Sequence, residues 1–319
     1  MDSSSPWLKG VTPLVRPLTL TLVIALLCSP ISTLPALAHE GPEHEIEELT
    51  EEIKKLGESP GLLVERAIEY RVLGKYTEAS RDLERAARLD PNSTHAYREW
   101  SQVLFLSGKV QEAIDTLSRA LLVPHLEPAE KAGLLASRAE WLKSKKDYPK
   151  ALVDCDQAIL LYAENPDWYL LRSDLHRRLK LSKERISGVE QGIRLTGAAT
   201  LHIERVEAWI DDRQFDLALK TIESELASSR LQSSWLIRRA QARLGLGQKP
   251  EAHQDLRTAL AEIATRLNLS HPDVPLVLDN AVAHELLDEL TEARRYYELA
   301  LEHSADDDLR DKLKSLKPR

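Results

Sequence analysis

The sequence predicts an all-α fold: a solenoid of about seven helical hairpins with a capping helix at each end. Three observations predict it. Small or apolar residues recur at Ala79, Ala113, Ala151, Ile186, Ala218, Ala252 and Ala293, with gaps of 34, 38, 35, 32, 34 and 41 residues, too regular for chance and too short for separate domains. Each is followed four and seven residues later by a second pair, from Leu83/Ala86 and Leu117/Ala120 through Cys155/Ala158, Glu190/Ile193, Ile222/Glu225 and Leu256/Ala259 to Tyr297/Ala300. That is the spacing of one helical face. The composition is 43% hydrophobic and 29% charged, with 5% aromatics and few β-branched runs from which to build a sheet.

The elements follow in order. Residues 1–38 read as a secretory signal peptide: Arg16 is a basic flank, Leu18 to Leu27 carries no charge, and Ala36-Leu37-Ala38 has the small-x-small form of a cleavage site. The run is too short for a comfortable membrane span, so the expectation is a secreted or periplasmic chain starting at His39, with no stable membrane insertion once the signal is removed. An uncleaved membrane anchor is the alternative. Leu27 stands before Cys28 where lipoprotein signals need a small residue, which argues against a lipid anchor. Cys155 then has no intrachain partner, and four residues after Ala151 it reads as a small buried hydrophobe.

Residues 39–59 form an acidic linker and an N-terminal capping helix, in which Ile46, Leu49, Ile53 and Leu56 follow 3-4-3 spacing on one face. The solenoid occupies 60–305. Within it Gly74, Gly108 and Gly247 fall where a short interhelix turn calls for positive φ, and Asp90-Pro91 stops one hairpin before the next. Insertions around 124–130 and 268–272 are expected to lengthen loops at hairpin junctions without breaking the stack. Residues 306–319 form a charged capping helix with Leu309, Leu313 and Leu316 as its apolar stripe.

The unit from Pro60 to Ser93 carries Ala67, Tyr70, Gly74, Tyr76, Ala79, Leu83, Ala86 and the terminal Leu89-Asp90-Pro91-Asn92. The next repeats the pattern with Tyr97, Trp100, Gly108, Ala113, Leu117 and Ala120, and the sixth with Leu236, Ala240, Gly247, Ala252, Leu256 and Ala259. This set resembles the tetratricopeptide repeat family, and the whole chain resembles its exported bacterial members. Units four and five depart from the pattern: Lys183 replaces an aromatic, and Glu190 and Glu225 stand where small or apolar residues are expected. The resemblance implies a right-handed superhelix that binds proteins rather than performing chemistry.

Nothing in the sequence contradicts that implication. No Gly-rich phosphate loop, G-x-S-x-G, C-x-x-C or H-E-x-x-H is present, so neither an enzyme nor a cofactor is expected. A formal charge of −8 with no basic tract argues against nucleic acid as a partner. His39 and His44 are five residues apart across Gly41-Pro42, which should bar a helix there. A metal- or ligand-handling amino terminus built on these two histidines is the alternative to a protein-binding scaffold.

The resemblance also implies that first helices line a concave groove at their second, fifth, ninth and twelfth positions. Arg98 and Gln102 fall there in unit two, Lys143 in unit three, Trp168, Leu171 and Arg178 in unit four, and Ile203 and Glu207 in unit five. The expected groove has an apolar strip beside three cations and suits a protein or peptide partner with apolar anchors and a carboxylate. The paired Asn and Lys residues with which one subtype clamps a C-terminal carboxylate are missing, since Ile68 and Gln102 occupy the Asn positions.

Overall fold

The computed structural model describes residues 41–304 and 307–316. The expected signal peptide and His39 lie outside the described residues. Helix α1 (Pro42–Leu56) begins earlier than its apolar stripe, because Pro42 at the first helical position has no N–H to satisfy and a φ already suited to a helix. Gly41-Pro42 therefore starts a helix instead of preventing one, and His44 lies in its first turn. Leu49 is buried against the stack, whereas Leu56 at the last helical position is 74% exposed, so the apolar face is shorter than the 3-4-3 spacing implies.

Seven hairpins follow: α2 (Pro60–Val72) with α3 (Tyr76–Leu89), α4 (Thr94–Leu106) with α5 (Val110–Ala120), α6 (Pro128–Ser144) with α7 (Tyr148–Leu161), and α8 (Pro166–Arg178) with α9 (Ser182–Thr196). The remaining three are α10 (Thr200–Asp211) with α11 (Phe215–Ser228), α12 (Ser233–Gly245) with α13 (Lys249–Ala264), and α14 (Val274–Leu286) with α15 (Leu290–Glu302). Helix α16 (Asp307–Ser315) closes the stack. No strand occurs among the described residues. Both insertions are loops at hairpin junctions, between α5 and α6 and between α13 and α14.

The unit length comes from the turn inside each hairpin. In all seven a backbone bond runs from the residue before the second helix back to a first-helix carbonyl: Lys75 to Tyr70, Lys109 to Leu104, Asp147 to Leu142, Leu181 to His176, Gln214 to Trp209, Gln248 to Arg243 and Glu289 to His284, at 2.7–3.0 Å. The bond closes only if the residue preceding its donor is left-handed. Gly74, Gly108 and Gly247 fill that place at φ 70°, 80° and 77°, and Lys146, Lys180, Arg213 and Asp288 fill it at 59–62°.

These seven residues define the register and correct it in unit four. The place held by Ala79, Ala113 and Ala151 lies five residues after the turn residue, which in unit four is Arg185, not Ile186. Val189 and Gly192 then take the two core positions, and Glu190 is not one of them. A Cβ on Gly192 would lie 2.7 Å from Tyr169, so glycine lets α9 approach α8 closely.

Each first helix packs on the next first helix, whereas each second helix touches only its own first helix and the one that follows. The first helices thus form one continuous inner layer. The small residues Ala67, Ala79, Ala86, Ala113, Ala151, Ala252 and Ala293 are all fully buried between helices. At the end, Leu309, Leu313 and Leu316 are buried against Val277 and Tyr297, the capping role expected of the stripe.

Candidate partner-binding surface

The inner layer brings Arg98 and Gln102 (α4), Lys143 (α6), and Ile203 and Glu207 (α10) to equivalent places, ten, six or three residues before each unit's turn residue. The same count in α8 selects Leu170, Asp174 and Arg177. Leu171 and Arg178 are each one residue past it, and Trp168 is one residue past the place thirteen before the turn residue that His95 holds in α4. Leu171 is 5% exposed and its neighbour Leu175 fully buried, which removes both from any groove surface. Trp168 is half-buried, lies edge-on to Tyr162 with centroids 5.9 Å apart, and accepts the Cys155 thiol on its carbonyl at 3.2 Å. It seals α8 against α7. Cys155 is fully enclosed there, and burial pushes its thiol up to about 12, consistent with an inert core residue.

Two of the three cations expected to attract a carboxylate, Lys143 and Arg178, already have one. Asp174 receives Arg178 Nε at 2.9 Å, Arg177 at 2.5 Å and Lys143 Nζ at 3.4 Å. Burial alone would raise its carboxyl, but Arg178, Lys143 and Arg177 together hold it below the usual range. Glu207 is likewise engaged, by Arg238 at 2.8 Å, and Arg238 turns its other arm to Asp279 at 2.7 Å, linking α10, α12 and α14. Arg98 is exposed on α4, beside a small cavity of about 80 Å³ shared with His95, Glu130 and Leu134. A larger inner cavity, about 350 Å³, spans α8, α10 and α12 and is lined by Asp174, Arg177, Glu204, Glu207, Ile210 and Gln241.

The floor of that cavity is Arg185, the residue found where other units have alanine. It is 4% exposed and reaches from α9 to Ser173 Oγ at 3.0 Å, Glu204 at 2.6 Å and Asp211 at 2.5 Å. Burial pushes the Glu204 carboxyl up, although Arg185 and the Ser173 hydroxyl oppose it. Sequence reasoning missed this network because a one-residue slip put Ile186 in the place of Arg185. It also missed a hairpin clip in three units, in which an arginine pairs in bidentate fashion with an aspartate sixteen residues on: Arg66 with Asp82, Arg138 with Asp154 and Arg239 with Asp255, at 2.7–2.9 Å. The repeated sixteen-residue interval was the available signal.

His44 faces Glu48 at 3.8 Å on α1. Among the described residues no group of three or more His, Cys, Asp or Glu side chains is placed to hold a metal ion. No helix among them is long and apolar enough to cross a membrane.

Seven hairpins with one turn geometry and small residues at fixed places define a repeat that can be compared with known ones. Residues 64–133 match the tetratricopeptide repeat. Hairpin α4/α5 and most of α2/α3 fall within that match. The small glutamine-rich tetratricopeptide repeat-containing protein 2 of Mycosarcoma maydis is 30% identical over 82 residues, which are 26% of this chain; the match spans 23% of that protein's length. A tetratricopeptide repeat protein from Parabacteroides merdae ATCC 43184 has the same fold, with a TM-score of 0.59 at 16% identity over 86% of this chain and 98% of that one. YrrB, a tetratricopeptide protein with an unusual peptide-binding site, superposes with a TM-score of 0.46 at 14% identity, covering 57% of this chain and 93% of its own.

Proposed function

We propose that the protein is a non-catalytic interaction scaffold that holds a peptide segment of a protein partner against its inner layer of first helices. The observation that carries this reading is the cavity of about 350 Å³ across α8, α10 and α12, in which charged side chains of both signs surround Ile210. Arg98, Gln102, Lys143, Ile203 and Glu207 belong to the proposed surface, joined by Leu170, Asp174, Arg177 and Ile210. Trp168, Leu171 and Arg178 support it from behind. An open stack of hairpins offers extended contact area and no closed, dry site with donors fixed for a transition state. We further propose that the chain is exported, on the pattern of residues 1–38. Amino-terminal sequencing that reads His39 supports this, and a retained Met1 contradicts it.

The test starts with affinity capture by residues 39–319 from a cell-envelope extract, followed by calorimetry on a synthetic peptide of the captured segment. Ile210→Ala is expected to weaken binding by about 1–2 kcal/mol as an apolar anchor is lost. Arg98→Glu and Arg177→Glu are expected to change the association rate and its salt dependence. Wild-type behaviour in all three variants, with circular dichroism unchanged, contradicts the inner-layer reading.

A further inference from the structure

A second cavity, about 690 Å³, is lined by residues of α5, α6 and α7. It opens between α5 and α7, the second helices of units two and three, which do not touch each other. Ile114 and Leu142 form its apolar base and Val153 its wall. Val153 is 56% exposed, and Leu160, two turns further along α7, is 85% exposed. Leu122, just past the end of the parallel helix α5, is 81% exposed.

The repeat supplies an internal control for these residues. Seven residues after the turn residue, where unit three has Val153, the other units have Arg81, Asp115, Ser187, Lys220, Gln254 and Arg295. Fourteen residues after it, units two and three have Leu122 and Leu160, while the others have Arg88, Arg194, Ala227, Ala261 and Glu302. The fold therefore does not need an apolar residue at either place, and solvation disfavours one. Charge is local as well. The segment from Lys143 to Lys150 carries four lysines and one aspartate in a chain of net charge −8. Lys143 turns to Asp174 on the inner side, and Lys150 pairs with Asp147. Lys146 reaches Asp311 of α16 at 3.8 Å, and Lys145, at the mouth of the cavity, donates to the neutral Gln111 side chain at 2.5 Å with Asp147 close enough to feel its charge.

We infer that the groove between α5 and α7 docks an acidic amphipathic helix of a protein partner. Its apolar residues, at three- and four-residue intervals, lie along Val153 and Leu160, and a carboxylate at one end meets Lys145. The span from Val153 to Leu160 is about 10 Å of helix rise, which fits two apolar anchors one or two turns apart. Nothing in this surface depends on the inner-layer reading.

A photoreactive phenylalanine analogue placed singly at Val153, Leu160 and, as a control, Gln254 tests the inference in cells that express the full chain. Adducts at 153 and 160 but not at 254, whose mass spectra map to one net-acidic segment with apolar residues at helical spacing, are expected. A synthetic peptide of that segment should then lose about tenfold in affinity for Leu160→Ala and bind less tightly at high salt to wild type, but not to Lys145→Ala. Adducts no more abundant at 153 and 160 than at 254 overturn the proposal. So do a basic or non-helical crosslinked segment, an adduct to a second copy of this chain, or unchanged affinity in Leu160→Ala.

Discussion

At the scale of single residues, seven equivalent turns hold left-handed residues, and only three of the described ones are glycine. Nothing lies within 4 Å of a Cβ built on Gly108, so Gly108→Val adds backbone strain without a clash, and a loss of about 1–2 kcal/mol is expected. The converse holds at Lys180, at φ 59°. Lys180→Gly relieves that strain, the greater chain entropy of glycine when unfolded partly offsets the gain, and a net stabilisation of about 0.5–1 kcal/mol is expected. Denaturant midpoints check both, and a shift of the same sign in the two variants contradicts the shared turn geometry. Asp174 provides a pH test. Its folded carboxyl lies below the usual range, so the unfolded chain takes up the proton first as pH falls. The stability it contributes is complete at neutral pH, starts to decline below about pH 4 and is gone once the folded carboxyl is itself protonated. Asp174→Asn should remove that part of the acid-side decline, and an unchanged acid profile would show that the three cations do not act on it.

At the scale of elements, a hairpin is held by small-residue packing and, in three units, by a buried arginine–aspartate clip. Asp154 is 5% exposed and accepts both arms of Arg138, so Asp154→Ala leaves a partly buried guanidinium without its partner. A loss of about 2–3 kcal/mol is expected, with a smaller loss in Arg138→Met/Asp154→Leu, which leaves no uncompensated charge. Thermal melts of the two variants decide it, and a double variant as unstable as the single one contradicts the argument. The same contrast explains what could be read in the sequence. Ala67, Ala79 and Ala86 placed both helices of unit one because their size and spacing state the packing directly. Unit four could not be read this way. Its turn residue is Lys180, its small position holds Arg185 and its close approach depends on Gly192, so each identity that usually marks the register is replaced. The nearest apolar residue is Ile186, one position past the small place, so the apolar pattern sets α9 one residue late. In α8 the groove positions lie one residue before Trp168, Leu171 and Arg178, and Trp168 and Leu171 belong to the seal behind the groove.

At the scale of the whole molecule, each unit is stabilised by its neighbours, and the caps α1 and α16 cover the ends of the stack. The inner layer is knit by ion pairs that cross from one unit to the next, Lys143 to Asp174 and Glu207 to Arg238 to Asp279, whereas the second helices of adjacent units stay apart. These crossing pairs were not legible in the sequence, because they join residues about thirty to forty positions apart whose relative height depends on the register. The central claim is that this knitted inner layer, in the register set by the seven turn residues, is the face that holds a partner segment. Hydroxyl-radical footprinting of the chain, with and without that bound segment, tests it most directly. The account predicts lower oxidation of Leu170, Ile210 and Phe105, which stands three residues before Gly108 on α4, on binding and no change at Leu195 or Leu217 on the second helices. Protection of Leu195 and Leu217 with Phe105, Leu170 and Ile210 unchanged would contradict it.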